Sequence, residues 1–131
     1  MNSAITTLLN EIRFNSDGLV PVITQSMNGE ILMLAWMNKE AITETLNTKQ
    51  MCYFSRSRQS LWKKGERSGQ IQQLKELLLD CDGDTLLAKV EQTGVACHTG
   101  RKTCFFRTVT DQGLTINQDV IISPNELYPH S

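Results

Sequence analysis

Apolar positions change period several times along this chain, and each change predicts an element. Ile5, Leu8, Leu9 and Ile12 recur at helical spacing behind Ser3, a possible N-cap, and predict a short amphipathic helix. Residues 18–25 are rich in strand formers, with Pro21 more comfortable near a sheet edge. Asn28-Gly29 is a strong turn signal. It leads into Ile31–Met37, a continuous apolar run that predicts a strand buried on both faces and paired with 18–25 as a hairpin. Asn38 should cap a helix over Lys39–Leu46 that turns Ala41, Ile42, Thr45 and Leu46 inward. Met51–Ser55 reads as another strand.

Over 55–69 the pattern breaks. Arg56, Arg58, Lys63, Lys64 and Arg67 stand among serines and glycines around Trp62. Composition there fits a solvated loop and an anion-binding segment equally well; in the second, guanidinium forks, hydroxyls and backbone N–H groups grip phosphate. Ile71, Leu74, Leu77 and Leu78 keep helical spacing, yet 70–79 reads better as a strand, because 85–92 looks like its hairpin partner. Cys104–Val109 predicts one more strand, followed by a turn at Asp111-Gln112-Gly113. Beyond Asp119, Pro124 and Pro129 predict a tail lying loosely on the surface. The expected fold is a single α+β domain over residues 1–131, mostly antiparallel strands with a few helices.

Composition narrows the setting. A chain of 131 residues, 40% hydrophobic and 21% charged, can bury a core without disulfide staples. A net charge of -1 speaks against nucleic acid as the main partner. No apolar run approaches a membrane span, and no basic start followed by an apolar stretch suggests a signal peptide, so the expected location is cytoplasmic. There the four cysteines read as metal ligands or buried thiols rather than disulfides.

Candidate chemistry concentrates in 80–104, which holds Cys81, Cys97, Cys104, His98, Asp80, Asp82 and Asp84. Thiolates and imidazole suit zinc, whereas clustered carboxylates suit magnesium, calcium or manganese. Three cysteines plus an open position would be a catalytic zinc site; Cys52 as a fourth would close it into a structural one. A hairpin over 77–92 should bring Cys81 near the other two. His98, next to a ligand, is a natural general base. In a strand Asp80, Asp82 and Asp84 share one face and Cys81 the other, so they serve different ions or one of them reaches another chain. Thr85 occupies the position where a calcium-binding EF-hand loop requires glycine.

Five separated motifs then occur in one order: Leu32–Asn38, Ser55–Arg58, Leu61–Glu66, the DCDGD cluster at 80–84, and ACHTG at 96–100 with Cys104-Phe105-Phe106. Together they resemble the phosphoribosyl-AMP cyclohydrolases, from about Pro21 to Arg107. Lys49 stands where that family commonly has glycine. The resemblance implies one zinc per subunit at Cys81, Cys97 and Cys104, and one magnesium per subunit at Asp80, Asp82 and Asp84. It implies an intertwined homodimer whose zinc sites are shared between subunits. The implied reaction is hydrolytic opening of the adenine ring of phosphoribosyl-AMP, a step of histidine biosynthesis. His98 would be catalytic, and Arg56, Arg58, Trp62, Lys63, Lys64, Glu66 and Ser68 are the candidates for holding this small-molecule substrate. A zinc nucleobase deaminase is the nearest alternative enzyme, but its His-x-Glu and Pro-Cys-x-x-Cys signatures are absent. A non-catalytic zinc-stabilised domain would need Cys52 as a ligand.

Overall fold

A computed structural model of the chain describes residues 3–128. In chain order the elements are α1 (Ser3–Glu11), β1 (Val20–Ser26), β2 (Ile31–Met37), α2 (Lys39–Thr48), β3 (Cys52–Ser55), β4 (Ser60–Lys63), β5 (Gln72–Leu79), β6 (Leu86–Gln92), β7 (Arg107–Thr110), β8 (Gly113–Ile116) and α3 (Pro124–Leu127). The main sheet runs β2-β1-β6-β5; only the β1–β6 pair is parallel. Two antiparallel ribbons, β3-β4 and β7-β8, complete an α+β fold of the expected class.

Local chemistry accounts for most of these elements. The β1–β2 hairpin turns at Asn28-Gly29, where Gly29 has φ 95°. The Asn38 side chain accepts the Ala41 N–H at 2.8 Å and caps α2, which buries Ala41, Ile42 and Thr45. That helix stops at Lys49, whose left-handed φ of 64° costs a residue with a Cβ about 1–2 kcal/mol and would suit glycine better. Strand β6 lies between β1 and β5, and alternates Leu86, Ala88 and Val90 into the core against Val20 and Val22. Beneath this face pack Ile42, Met51 and Tyr53.

A buried polar chain crosses the core. The Thr24 and Tyr53 hydroxyls are 2.8 Å apart, Tyr53 donates to Gln72 Oε1 at 2.6 Å, and Gln72 Nε2 donates to Gln92 Oε1 at 2.7 Å. Each group is satisfied, so the chain ties β1, β3, β5 and β6 without a desolvation penalty. Burial pushes the Tyr53 phenol well above its ordinary range, which keeps it a neutral donor.

Five local expectations need correction. Strand β2 is not buried on both faces: Ile31 and Leu34 are 40% and 48% exposed, because β2 is the sheet edge and pairs only with β1. Residues 55–69 are not a plain loop, since Ser60–Lys63 returns against β3 as β4. Strand β7 starts at Arg107 rather than Cys104, because the Cys104 N–H is already given to Leu32 O and the Thr103 hydroxyl to Ile31 O. Asp80–Asp84 is a turn, not a strand, so Cys81 and the three carboxylates are not divided between two strand faces. Gly83 has φ 74°, and its carbonyl accepts the Arg13 N–H at 2.7 Å. Finally, the segment beyond Asp119 is docked: Ser123 caps α3 and Leu127 is only 3% exposed. Pro129 lies outside the described residues.

Candidate active site

The loop after β6 is built to bring two thiols together. Gln70 Oε1 accepts the Val95 N–H at 3.0 Å, and Gln92 Nε2 reaches Thr93 O at 2.8 Å, so the buried glutamine network anchors the loop's first half. The chain then doubles back: Ala96 N–H donates to Lys102 O and Cys97 N–H to Arg101 O, both at 3.1 Å. Gly100 forms the tip with φ 88°, and a Cβ there would lie 1.8 Å from Ile122 O. Only glycine fits. This reversal sets Cys104 beside Cys97.

Cys97 is buried, and the Thr99 hydroxyl donates to its sulfur at 3.1 Å. Cys104 is exposed, yet its thiol meets that of Cys97. Burial, then the charge and hydrogen bond of Cys97, push the Cys104 thiol up to about 12, while Lys64 pulls the other way. Lys64 is only 6% exposed. Burial lowers its pKa, and Cys104 and Cys97 partly restore it. Two neighbouring thiols are the donor type that suits a soft divalent cation, whose charge would release their protons.

Cys81 does not join them. The β5–β6 hairpin forms as expected, but its Asp80–Thr85 turn precedes β6 whereas the Cys97 loop follows it. Seven residues of strand separate the two ends by roughly 20 Å at about 3.3 Å per residue. Among the described residues no metal-ligand group of three contains a cysteine. Cys52 is buried on β3, its thiol raised by burial, and does not close a four-cysteine site.

At the far end the carboxylates do converge. Asp80, Asp82 and Asp84 each offer an oxygen, and these lie within 4.8 Å of one another. Oxygens about 2.1–2.6 Å from one hard cation span roughly 3–5 Å, so the set has the right size for magnesium or calcium. The turn orders them: the Asp84 N–H donates to Asp80 Oδ1 at 3.0 Å. Desolvation works against the Asp80 charge, but the N–H groups of Asp84, Thr85 and Gly83 outweigh it and hold the carboxyl below its ordinary value.

Over the basic segment lies a cleft of about 330 Å³. His98 lines it together with Arg58, Trp62, Lys64, Glu66 and Ser68, five of the seven residues expected to hold substrate. Trp62 is steadied from below by the Tyr53 ring, 5.2 Å away between centroids. Gly65 turns the chain with φ 84° where a Cβ would meet the Gln70 backbone at 2.7 Å. Arg58, Lys64 and Arg67 against Glu66 leave the cleft cationic, suited to phosphate.

Two expected residues sit elsewhere. Arg56 stacks its guanidinium over Trp36, 4.6 Å from the ring centroid. Lys63 alternates to the other side of β4 from Trp62 and pairs with Glu44 at 3.6 Å. Arg67, expected only as part of the anion-binding segment, also lines the cleft, and so does Tyr128, which was not expected there. Tyr128 had no local signal, because only the docking of α3 brings it to this wall.

Comparison with known proteins gives one answer. A family model described as phosphoribosyl-AMP cyclohydrolase matches residues 33–106. A phosphoribosyl-AMP cyclohydrolase of Paramagnetospirillum magneticum is 60% identical over 122 residues, covering 92% of each chain. That of Rhodospirillum centenum is 57% identical over 127 residues, covering 96% of each. That of Acidiphilium cryptum is 61% identical over 108 residues, covering 82% of this chain and 93% of the relative.

Proposed function

The chain belongs to the phosphoribosyl-AMP cyclohydrolase family and is an enzyme of that kind, and we propose that it opens the adenine ring of phosphoribosyl-AMP at the N1–C6 bond, a step of histidine biosynthesis in the cytoplasm. No described helix is long and apolar enough to cross a membrane. The observation that carries the reaction is the cleft itself, where His98 shares a wall with Lys64, the cation beside Cys97 and Cys104.

Ribosylation at N1 leaves C6 electron-poor. Water adds there, and His98, exposed in the cleft, accepts its proton. Collapse of the adduct breaks N1–C6, the proton passes to N1, and the product is the formimino-carboxamide ribotide. Arg58 and Lys64 hold phosphate, while Trp62 offers a ring face to the base. Zinc held by Cys81, Cys97 and Cys104 would supply a Lewis acid that makes the attacking water nucleophilic near neutral pH. Asp80, Asp82 and Asp84 would hold magnesium near a phosphate.

Two of the three thiolates come from one chain, so the zinc site requires a second copy to deliver Cys81. The exposed apolar surface fits that dimer. Ile31 and Leu34 lie on the unpaired β2 edge, and β7–β8 displays Val109, Leu114 and Ile116 along a ribbon exposed at every position. A two-stranded ribbon is marginal in water unless something covers it.

Ultraviolet monitoring of zinc-loaded protein with phosphoribosyl-AMP, with and without magnesium, tests the assignment. Ring opening that disappears in Cys97→Ser is the expected result. No turnover by folded, metal-loaded dimer would overturn it.

A further inference from the structure

Segment 117–128 runs across the back of the Cys97–Gly100 loop and ends in the cleft. Ile121 and Ile122 N–H both donate to Gly100 O, at 2.8 and 3.2 Å, and Arg101 Nε donates to Gln118 O at 3.0 Å. Buried Leu127 then pins α3, and the next residue, Tyr128, forms part of the cleft wall opposite the basic turn. There the Arg67 guanidinium lies over the Tyr128 ring, 5.5 Å from its centroid.

This contact differs from an ion pair. A carboxylate partner would consume the in-plane N–H donors of the guanidinium, but an aromatic face holds the cation through its π-surface and leaves those donors free. Among the described residues no carboxylate lies within ion-pair distance of Arg67. The result is a guanidinium fixed in place at a cationic cleft with its fork available for a phosphate.

We propose that Tyr128 is a positioning residue: its ring holds Arg67 so that the guanidinium grips one phosphate of the substrate, and segment 117–122 is the brace that keeps the ring there. The proposal rests on the cleft being the substrate site. It couples phosphate binding to the Cys97–Gly100 loop, because the brace is bonded to the loop's tip.

The test compares Tyr128→Leu, Tyr128→Phe, Arg67→Met and the Leu/Met double variant, each checked for folding by circular dichroism. For phosphoribosyl-AMP, Tyr128→Leu should raise KM about tenfold with kcat within about twofold, and Tyr128→Phe should restore KM. Inhibition by adenosine 5′-monophosphate should weaken in parallel, whereas inhibition by adenosine should not. Arg67→Met should show the same loss, and the double variant no more than either single one, since Tyr128 acts through Arg67. An unchanged KM in Tyr128→Leu, equal losses for nucleotide and nucleoside, or additive losses in the double variant would each overturn the proposal. Should the wild-type protein bind the nucleotide through Arg67 and Tyr128 yet never open the ring, the reaction assignment fails and this one stands. Turnover with a Tyr128-independent KM is the reverse case.

Discussion

The acidic turn at Asp80–Asp84 and the loop from Ala96 to Cys104 are both short, glycine-containing and dense in metal ligands, and they sit at opposite ends of β6. The first gathers its three carboxylates within one hairpin turn, whose oxygens already lie within 4.8 Å of one another. The second brings two thiols together and leaves Cys81, the third proposed ligand, on the other turn. A site made by one turn can form as soon as that turn folds. The proposed zinc site draws on both ends of a strand, so it would need another copy of the chain and would tie metal binding to assembly.

Subunit mixing should give the largest effect. Cys81→Ser and Cys97→Ser should each abolish ring opening as pure proteins. Refolded together, they should regain activity at about a quarter of the sites, because half of randomly paired dimers carry one intact shared site. No recovery in demonstrably mixed dimers would mean that the ligands come from a single chain.

A smaller effect distinguishes the acidic turn. Magnesium at about 100 times its Kd should raise the unfolding free energy of the wild-type protein by about 2.7 kcal/mol. Asp82→Asn should remove most of that gain in a denaturation series without lowering zinc content measured on the same samples. Loss of both metals together would show that the two regions are one site.

The gentlest comparison is the pH dependence of the metal-free chain. The Cys104 thiol is raised from 9.0 to about 12, so above pH 9 the unfolded state releases a proton that the folded state keeps. Its contribution to stability is therefore present below pH 9 and is lost as pH rises through about 12. Asp80 shifts the other way: its contribution is present above its ordinary 3.8 and is lost as pH falls below it. Urea midpoints followed with pH should lose part of the alkaline decline in Cys104→Ser, buried Tyr53 and Cys52 keeping the rest, and part of the acid decline in Asp80→Asn. An alkaline decline that persists unchanged in Cys104→Ser would refute the assigned cause.

Particular residues show how far the chain could be read in advance. The Asn38 cap, the Asn28-Gly29 turn, the β5–β6 pairing and the cationic character of 55–69 follow from side chains and their near neighbours, and all appear in the fold. The ligand types at 80–104 were legible for the same reason. Burial and meeting were not. Ile31 and Leu34 are exposed because, among the described residues, no strand lies beyond β2, and Lys63 leaves the cleft because β4 alternates. Period, capping and turn chemistry act over a few residues, so the elements and the donor atoms could be read from the chain alone. Which ends of those elements meet depends on strand order and on what packs beside each edge. That is why only the tertiary structure placed Cys81 a strand's length from Cys97 and brought Tyr128 to Arg67.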